Sequence, residues 1–503
     1  MRPTLYGLFV ASAERHPGHP AVELPGLTLG YRRLARAAEA LAETIERTYG
    51  GVGRVGLFAS RSVVAYAGYL AALRLGATVV PVNPDHPAAR NREILGAAGV
   101  DVLVADDALP AAAANRRGEL GVGATLALTD AEVLAAAPEG RLAPYAADPD
   151  DVAYLLFTSG TTGRPKGVPI RHRNALPFLR RNIARYRVGP DCRMSHTFDL
   201  SFDLSVFDLF VTWGGGATLV VPDRAELFGP VDYLTRRRLT HWFSVPSAVS
   251  VSAGLGNLPT GREHSLRHSV FCGEQLDYDQ AAAWRAVAPG SVIDNLYGPT
   301  ELTLACAEYR LPADPRRWPR TSNGTVPIGE VYDDLEYLLT EAGELCVRGA
   351  QRFDGYLDPR DDAGRFLGHD GTGPPSAAHF YRTGDRVRRE AGRLVHVGRL
   401  DDQVKIRGYR VELSEVEAGL RRVPGVRRAV VVTAGRAGAT ELIGCYTGTP
   451  VPRPELLRAL RDRLPIHMVP RRFVHLPALP LGANGKVDRA AIRDLAMEGA
   501  DAT

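Results

Sequence analysis

The sequence predicts an α/β protein with a large N-terminal domain over residues 1–400 and a small α+β domain over residues 401–503. Strand-like and helix-like segments alternate as far as about residue 300, which indicates mainly parallel sheets covered by helices. From about residue 320 short β-like stretches are separated by turn residues, which predicts a small barrel-like unit. After Asp401 and Asp402, helical and strand-like segments mix within about a hundred residues, as in a compact separate domain.

The individual elements follow from the pattern in order. Residues 55–60 are apolar and strand-like, residues 62–76 are rich in Ala and Leu and helix-like, and residues 77–84 form a second buried strand. Further strands are predicted at residues 101–106, 152–160, 217–222, 268–274 and 291–298. The small domain is predicted to contain helices at Ser414–Arg422 and Pro454–Leu464, with strands at 427–434 and 441–448.

Composition narrows the functional classes. The 503 residues carry 61 basic and 57 acidic side chains without a Lys/Arg block, which argues against a nucleic-acid partner. Five scattered cysteines without a CxxC pair favour reduced thiols and a cytoplasmic location. No apolar stretch approaches the ~20 residues of a membrane span. The N-terminal run resembles a short signal peptide, but Leu5, Leu8 and Phe9 have the spacing of an amphipathic helix, which we favour.

Two glycine-rich segments compete as phosphate sites. Residues 51–56 match GxGxxG, but they precede a strand instead of following one, so we reject a dinucleotide fingerprint. Residues 154–167 end a buried strand in hydroxyls and glycines and then reach Lys166. Glycines let the backbone wrap an anion, hydroxyls donate to phosphate oxygens, and the lysine supplies charge. The segment is no Walker motif, because Gly167 follows the lysine.

This loop, TSGTTGRPKG, resembles that of the adenylate-forming superfamily, which includes acyl-CoA synthetases, luciferases and adenylation domains of peptide synthetases. Further matches occur in the family's order, at residues 295–301, 343–345, 381–385, 398–408 and 481–489. Together they span nearly the whole chain. The resemblance implies ATP and Mg²⁺ as cofactors and a mobile C-terminal domain.

By this resemblance Tyr297 would stack on adenine, with Asn295 near its amino edge. Asp385 would accept hydrogen bonds from the ribose hydroxyls, and Thr300 would contact the α-phosphate. Glu301 would hold Mg²⁺, which prefers oxygen ligands. The complete set of expected nucleotide-binding residues is Thr158, Ser159, Gly160, Thr161, Thr162, Gly163, Lys166, Gly273, Glu274, Asn295, Tyr297, Gly298, Thr300, Asp385, Arg399 and Lys486.

The resemblance also assigns two catalytic positions. Lys486 would bridge the substrate carboxylate and the nucleotide, offsetting negative charge as the carboxylate attacks the α-phosphate. Asp401 lies at the family's hinge, about which the small domain would rotate to withdraw Lys486 and present the Gly408 region to a thiol.

The duplicated FDLS segment bears on the substrate. Amino-acid adenylation domains carry an FDxSV segment whose Asp pairs with the α-ammonium group. Only the second copy continues with Val206, so we place that residue at Asp203; the alternative is that Asp199, or neither, contacts substrate. A carboxylate in an apolar pocket needs a cation, which fatty and aryl acids do not supply.

The remaining substrate positions carried over from the family are mostly apolar: Leu204, Phe207, Ser244, Val270, Cys272, Leu296, Leu304 and Ala305. Bulky walls predict a small amino acid, with alanine favoured, and residues 271–274 resemble D-alanine:carrier-protein ligases. A β-amino acid would also satisfy Asp203 if its ammonium group moved by one carbon.

The expected partner is a separate carrier protein with a phosphopantetheine arm, since only 17 residues follow Lys486. A basic stretch at Arg421, Arg422, Arg427 and Arg428 would suit an acidic carrier, or is simply a solvated face. The sequence thus predicts ATP-dependent activation of a small amino acid and its transfer to a carrier thiol. The alternatives are a CoA ligase for a small carboxylic acid and a non-catalytic adenylate-binding protein.

Overall fold

A computed structural model describes residues 3–160, 163–223, 225–435, 440–480 and 487–498. Up to residue 400 its α-helices are α1 (Leu5–Arg15), α2 (Tyr31–Tyr49), α3 (Val63–Arg74), α4 (Ala88–Ala98), α5 (Ala111–Arg117), α6 (Asp130–Ala135), α7 (His172–Arg185), α8 (Leu204–Gly215), α9 (Pro230–Arg236), α10 (Ser247–Gly254) and α11 (Tyr278–Val287). Short 3₁₀ turns lie at Thr300–Leu302, Pro315–Arg317 and Pro359–Asp362.

The strands of this part are β1 (Pro20–Leu24), β2 (Leu27–Gly30), β3 (Arg54–Phe58), β4 (Thr78–Pro81), β5 (Val102–Asp106), β6 (Thr125–Leu128), β7 (Val152–Thr158), β8 (Lys166–Arg171), β9 (Arg193–Ser195), β10 (Thr218–Val220), β11 (His241–Ser244), β12 (His268–Phe271), β13 (Val292–Tyr297), β14 (Ala307–Arg310), β15 (Glu330–Val331), β16 (Leu335–Leu339), β17 (Glu344–Gly349), β18 (Phe366–Leu367), β19 (Phe380–Glu390) and β20 (Arg393–Arg399).

Two large sheets form the body. One has the order β6-β5-β3-β4-β7-β8 and is parallel except at the β7–β8 pair. The other has the order β15-β14-β13-β12-β11-β9-β10-β1-β2, with a parallel centre from β1 to β13. A third, antiparallel sheet contains β16 to β20. The α/β fold with a half-barrel unit is therefore confirmed.

The remaining residues form the predicted α+β unit. It contains β21 (Gln403–Ile406), β22 (Tyr409–Glu412), α12 (Leu413–Arg421), β23 (Val426–Ala434), β24 (Glu441–Gly448), α13 (Arg453–Arg461), a 3₁₀ turn (Ile466–Met468), β25 (Arg472–His475) and α14 (Arg489–Glu498). β21 and β22 pair as an antiparallel hairpin, which we call the C-terminal hairpin (residues 403–412).

Apolar burial follows the same division. The helix predicted near the N-terminus is α1, which buries Leu5 and Phe9 against α8. Helix α3 is apolar on all sides and is fully buried, as a helix enclosed by a sheet and other helices requires. The apolar clusters of the described residues draw either on positions up to Leu394 or on positions from Val404 onward. The domain boundary at 400/401 stays a prediction that this separation favours. No helix among the described residues has the length and apolarity to cross a bilayer.

Candidate active site

A cavity of about 750 Å³ lies where strands of the two large sheets end. Thr158 at the end of β7 and the segment from Asn295 to Thr300 after β13 line it from the body. The carboxyl ends of parallel strands are where α/β sheets bind ligands, because loops diverge there and leave a crevice. The C-terminal hairpin covers the cavity from the other side, through Lys405, Tyr409 and Arg410.

Asp385 is the centre of a charged cluster in the cavity wall. Its carboxylate accepts hydrogen bonds from the Tyr297 hydroxyl at 2.6 Å, from Arg399 Nη1 at 2.6 Å and from His396 Nε2 at 3.1 Å. Gln275 donates to His396 Nδ1 at 2.9 Å, which fixes the imidazole with its proton on Nε2. Burial raises the pKa of Asp385, but the charge of Arg399 and these hydrogen bonds outweigh burial and hold that pKa well below its usual range.

Two polar atoms beside this cluster are buried without a partner among the described residues. Asn295 donates through Nδ2 to the Pro327 carbonyl at 2.9 Å, while its Oδ1 is unpaired; the Thr158 hydroxyl is also unpaired. Unpaired buried polar atoms are costly, so both fit a ligand that supplies a donor or acceptor, such as a purine amino group or a phosphate. A side chain at Gly298 would lie 2.5 Å from Ala305 Cα, which requires glycine there.

The phosphate loop contacts the C-terminal hairpin directly. The Ser159 hydroxyl donates to the Arg410 carbonyl at 2.7 Å and accepts from Glu412 N at 3.2 Å. Gly160 N lies 3.3 Å from Glu415 Oε2, and a Cβ at Gly160 would sit 2.1 Å from the Arg164 carbonyl. Gly163 has φ +77°. The positions predicted at Thr161 and Thr162 lie outside the described residues.

Lys166 is not brought to the cavity. It begins β8, is buried, and its Nζ lies 3.6 Å from Asp361 Oδ1 and 5.5 Å from the centre of the Tyr356 ring. Burial and the neighbouring Arg365 lower the pKa of Lys166. Contact with a phosphate would require movement of the lysine side chain or of the loop before it.

Glu301 is fully buried and already has a cationic partner. Arg410 Nη1 lies 2.7 Å and 3.0 Å from its two oxygens, and the Tyr356 hydroxyl donates to it at 2.5 Å. Burial raises the pKa of Glu301, but the charge of Arg410 outweighs burial and lowers that pKa to about 2. Mg²⁺ requires oxygen ligands at about 2.0–2.1 Å. With Arg410 in place, the residues around Glu301 do not fit the ion that the resemblance assigns to it.

Asp203, the residue predicted to pair with an α-ammonium group, is a buried carboxylate. It lies just before α8, lines the cavity, and accepts a hydrogen bond from the Thr300 hydroxyl at 2.7 Å. Among the residues that the structure describes, no Lys or Arg lies within ion-pair distance of Asp203. Burial raises its pKa, partly offset by the Thr300 hydrogen bond and by the charge of Lys405. A ligand cation would relieve this cost.

The other two aspartates of the duplicated segment are placed differently. Asp199 accepts hydrogen bonds from Ser201 and faces a second cavity. Asp208 is buried in the core, where the amides of Thr197 and Phe198 and the ring of His196 surround it. Of the two registers open from sequence, the one at Asp203 therefore faces the first cavity.

Some of the predicted apolar substrate positions line the first cavity, and others do not. Leu204, Cys272, Leu296 and Leu304 line the first cavity with Asp203. Three further predicted positions are buried in the same apolar core but outside the lining: Phe207, Val270 and Ala305. Ser244 lies on the second cavity and accepts from Trp242 Nε1 at 2.8 Å. Burial raises the pKa of the Cys272 thiol to about 12, so it acts as wall and not as nucleophile.

The turn of the C-terminal hairpin is seated against the body at Glu274. Gly408 N donates to Glu274 Oε1 at 2.7 Å, and the other oxygen accepts from Ser247 N at 3.0 Å. Gly408 has φ +83°, and a Cβ there would lie 2.4 Å from Val245 Cγ1. Arg90 and Glu415 form a further buried ion pair between the two parts. Together with Gly273, which also lines the cavity, Glu274 thus contacts hairpin as well as cavity.

Four rings join the two parts beside this turn. Tyr409 stacks on Phe202, with 5.3 Å between ring centres, and on His467 with 3.9 Å. His86 of the body lies 6.0 Å from His467. Sequence reasoning missed Tyr409, His467 and His86, as well as Arg410 and His396. The available signal was the glycine at Gly408, which marks a tight turn whose neighbours must approach the body.

Arg399 connects Asp401, at the predicted hinge, to the Asp385 cluster. Its Nε and Nη2 hold Asp401 at 2.6 Å and 2.9 Å while its Nη1 holds Asp385. Lys486 lies outside the described residues. Nearby, Arg489 pairs with Asp402 and Glu417.

The second cavity, of about 310 Å³, shares Asn83, Phe202 and Tyr409 with the first. Two arginines line it, Arg61 from the body and Arg407 from the hairpin turn.

Comparison with known proteins gives concordant results. Residues 9–357 match the model of the AMP-binding enzyme family. The chain is 38% identical to phosphinothricin tripeptide synthetase PhsC of Streptomyces viridochromogenes, over 99% of this chain and 46% of that protein. It is 34% identical to an L-proline–[L-prolyl-carrier protein] ligase of Pseudomonas fluorescens, over 97% of this chain and 98% of that protein. The chain thus spans less than half the length of PhsC.

Among solved structures, the Vibrio cholerae adenylation domain AlmE in complex with glycyl-adenosine-5'-phosphate is similar, with a TM-score of 0.82 and 26% identity over 99% of this chain and 98% of that one.

Proposed function

The chain belongs to the AMP-binding enzyme family, and on that premise we propose that it is an AMP-forming ligase that activates a small amino acid and loads a carrier protein. The observation that carries this proposal is Asp203. It is a carboxylate buried in the same cavity as the Asp385 cluster, and it lacks a cationic partner among the described residues. An α-ammonium group would supply that partner, whereas a fatty or aryl acid would leave the carboxylate unpaired.

The nucleotide is proposed to bind along the Asp385 side. Asp385 would accept from the ribose hydroxyls, and Tyr297, Asn295 and Gly298 would form the base site. Two features of the structure support this: the unpaired Asn295 Oδ1 and the unpaired Thr158 hydroxyl. Lys486 keeps its proposed role as the charge that offsets carboxylate attack on the α-phosphate. ATP and Mg²⁺ are the cofactors this proposal implies.

The second cavity is proposed to admit the phosphopantetheine arm of a carrier protein. It lies beside the first cavity, with Asn83, Phe202 and Tyr409 lining both, so a thiol entering there would approach the proposed adenylate from this side. Arg61 and Arg407 would hold the arm's phosphate, a group that arginine binds through paired hydrogen bonds. The seated hairpin completes this cavity, which associates the arrangement seen here with thiol transfer.

Substrate size is proposed from the wall. Leu204, Cys272, Leu296 and Leu304 line the cavity together with Asp203, and such bulky walls favour a small side chain, because overfilling a packed site costs ~1–3 kcal/mol. We propose alanine first, with glycine, serine and 2-aminobutyrate behind it. The relative solved with glycyl-adenylate shows that a similar domain accepts a small substrate.

The test is pyrophosphate release across the twenty L-amino acids, several D-amino acids, β-alanine, acetate and benzoate. We expect the highest rate with alanine, and a loss of about 10²–10⁴-fold in Asp203→Asn, because removing one partner of a buried ion pair costs about 3–5 kcal/mol. Asp199→Asn, from the first copy of the same segment, is the matched control and should retain adenylation. Preference for phenylalanine, lysine or β-alanine would contradict the small pocket, and activity with acetate or benzoate plus CoA would favour the CoA-ligase alternative.

A further inference from the structure

The inference concerns Glu301, which the family resemblance assigns to Mg²⁺ but which here holds an arginine of the other domain. Arg410 reaches it from the C-terminal hairpin, 109 positions along the chain, with its Nη1 at 2.7 Å and 3.0 Å from the two carboxylate oxygens. The Tyr356 hydroxyl donates a further hydrogen bond to Glu301 Oε1 at 2.5 Å. The Glu301 side chain is fully buried, and that of Arg410 is 12% exposed.

A buried carboxylate requires one counter-charge. Arg410 Nη1 already lies within hydrogen-bond distance of both oxygens of Glu301. A metal ion bound to Glu301 would lie at about 2 Å from its oxygens, in the space next to the guanidinium. Two cations there would repel each other in surroundings that water does not screen. Without either cation, the carboxylate would be buried and unpaired, which is strongly destabilising.

We propose that Arg410 and a divalent cation are alternative partners of Glu301, so that the C-terminal hairpin seats only when this carboxylate is free of metal. Arg410 is then a positioning residue for the second half-reaction. The inference rests on the proposed function only in naming that half-reaction as thiol transfer. The exclusion itself does not depend on which acid is activated.

Two other contacts of the C-terminal hairpin support this proposal. Seating the hairpin also engages Ser159 and Glu274, both of which belong to the predicted phosphate and nucleotide set. Ser159 of the predicted phosphate loop and Glu274 of the predicted nucleotide set are therefore taken up by the hairpin together with Glu301, whereas the Asp385 cluster is held by residues of the body. By reciprocity, a metal that weakens seating is itself weakened by seating to the same factor.

The experiment measures metal binding and hairpin seating on the full chain with a non-hydrolysable ATP analogue and without amino acid, because one carboxylate holds a divalent ion only together with phosphate oxygens. Mn²⁺ binding is followed from the paramagnetic resonance signal of free Mn²⁺. Seating is followed by energy transfer between fluorophores on Thr48→Cys and Glu455→Cys, both exposed, since the five native cysteines are buried.

We expect Mn²⁺ to lower the seated fraction of the native protein. Arg410→Gln should bind Mn²⁺ about 5–150-fold more tightly, the range of ordinary coupling between sites, and its reduced seating should no longer respond to the metal. Arg461→Gln removes one exposed charge from the same domain and should behave like the native protein. Glu301→Gln should lose the Mn²⁺ site.

The proposal is overturned if the native protein and Arg410→Gln bind Mn²⁺ with equal affinity. It is also overturned if the seated fraction of the native protein is the same with and without Mn²⁺. If Arg410→Gln fails to fold by circular dichroism, Arg410→Lys serves instead, because it keeps the charge but not the forked contact, and its Mn²⁺ affinity should lie above the native value. A failure of amino-acid activation would leave these results unchanged, so the two proposals fail separately.

Discussion

Asp385 and Glu301 are both buried carboxylates paired with an arginine, but their arginines come from different parts of the molecule. Arg399 lies 14 positions from Asp385 on the strand paired with its own, within the half-barrel sheet. Arg410 belongs to the C-terminal hairpin and meets Glu301 only when that hairpin is seated. The comparison indicates that the proposed ribose end of the site is preassembled within the body, whereas the proposed phosphate end is completed by the C-terminal hairpin.

The largest expected effect is at the preassembled end. Asp385→Asn removes the proposed ribose acceptor and leaves Arg399 buried with one partner fewer, so we expect about 10²–10³-fold loss. Since both half-reactions would use the same nucleotide site, ATP–pyrophosphate exchange and transfer from a supplied aminoacyl-adenylate should fall together. Exchange at the native rate would show that the cluster is structural.

A smaller and selective effect is expected at the shared end. Gly408→Ala places a Cβ 2.4 Å from Val245 Cγ1 at a φ of +83°, so the hairpin cannot seat without strain. At ~1–3 kcal/mol, transfer should fall about 10–100-fold while exchange changes little. Gly425→Ala, with φ +94° in the same domain and with Val451 and Thr449 as the nearest neighbours of the added Cβ, controls for general strain. Equal losses in exchange and transfer would contradict the division between the two ends.

The smallest expected effect is a pH dependence confined to the seated arrangement. Burial lowers the pKa of His86 to about 4 and that of His467 well below its usual value. The charged groups that face this pair are Asp85, Arg90, Asp199 and Arg407. An unseated hairpin would return both imidazoles to a pKa near 6.5. The seated form therefore binds fewer protons, and acidification below about pH 6.5 favours unseating.

Between pH 6.5 and 5.5 the ratio of transfer to exchange should fall, by up to about tenfold for one histidine. His86→Gln should weaken the pH dependence of this ratio, because only His467 of the pair would then titrate. A parallel fall of both half-reactions in the native protein would show instead that the pH acts on the nucleotide site.

The sequence was sufficient to predict the fold. It was also sufficient to predict those cavity residues that lie within local motifs. Periodicity located strands such as β7 and β13, the strand end in hydroxyls and glycines located Thr158, and the family resemblance located Asn295. It was not sufficient where a long-range contact decides the role. Nothing in the order of residues shows that Arg410 meets Glu301, or that Lys166 turns toward Asp361. Phe207 and Ser244 were assigned to the wall by motif position, but the direction of a side chain depends on packing that the motif does not encode.

The four residues after β12 have a consequence for redesign of specificity. Cys272 is part of the proposed substrate wall, Glu274 anchors the Gly408 turn, and Gln275 fixes the His396 ring beside Asp385. A directed-evolution campaign that varies Cys272 would therefore disturb, through one short backbone, the groups that we propose to serve acyl transfer and nucleotide binding. Leu204 and Leu304 border the same space away from that segment, whereas Leu296 lies between Asn295 and Tyr297. Libraries built at Leu304 should yield altered substrate choice at a lower cost in turnover than libraries built at the cysteine.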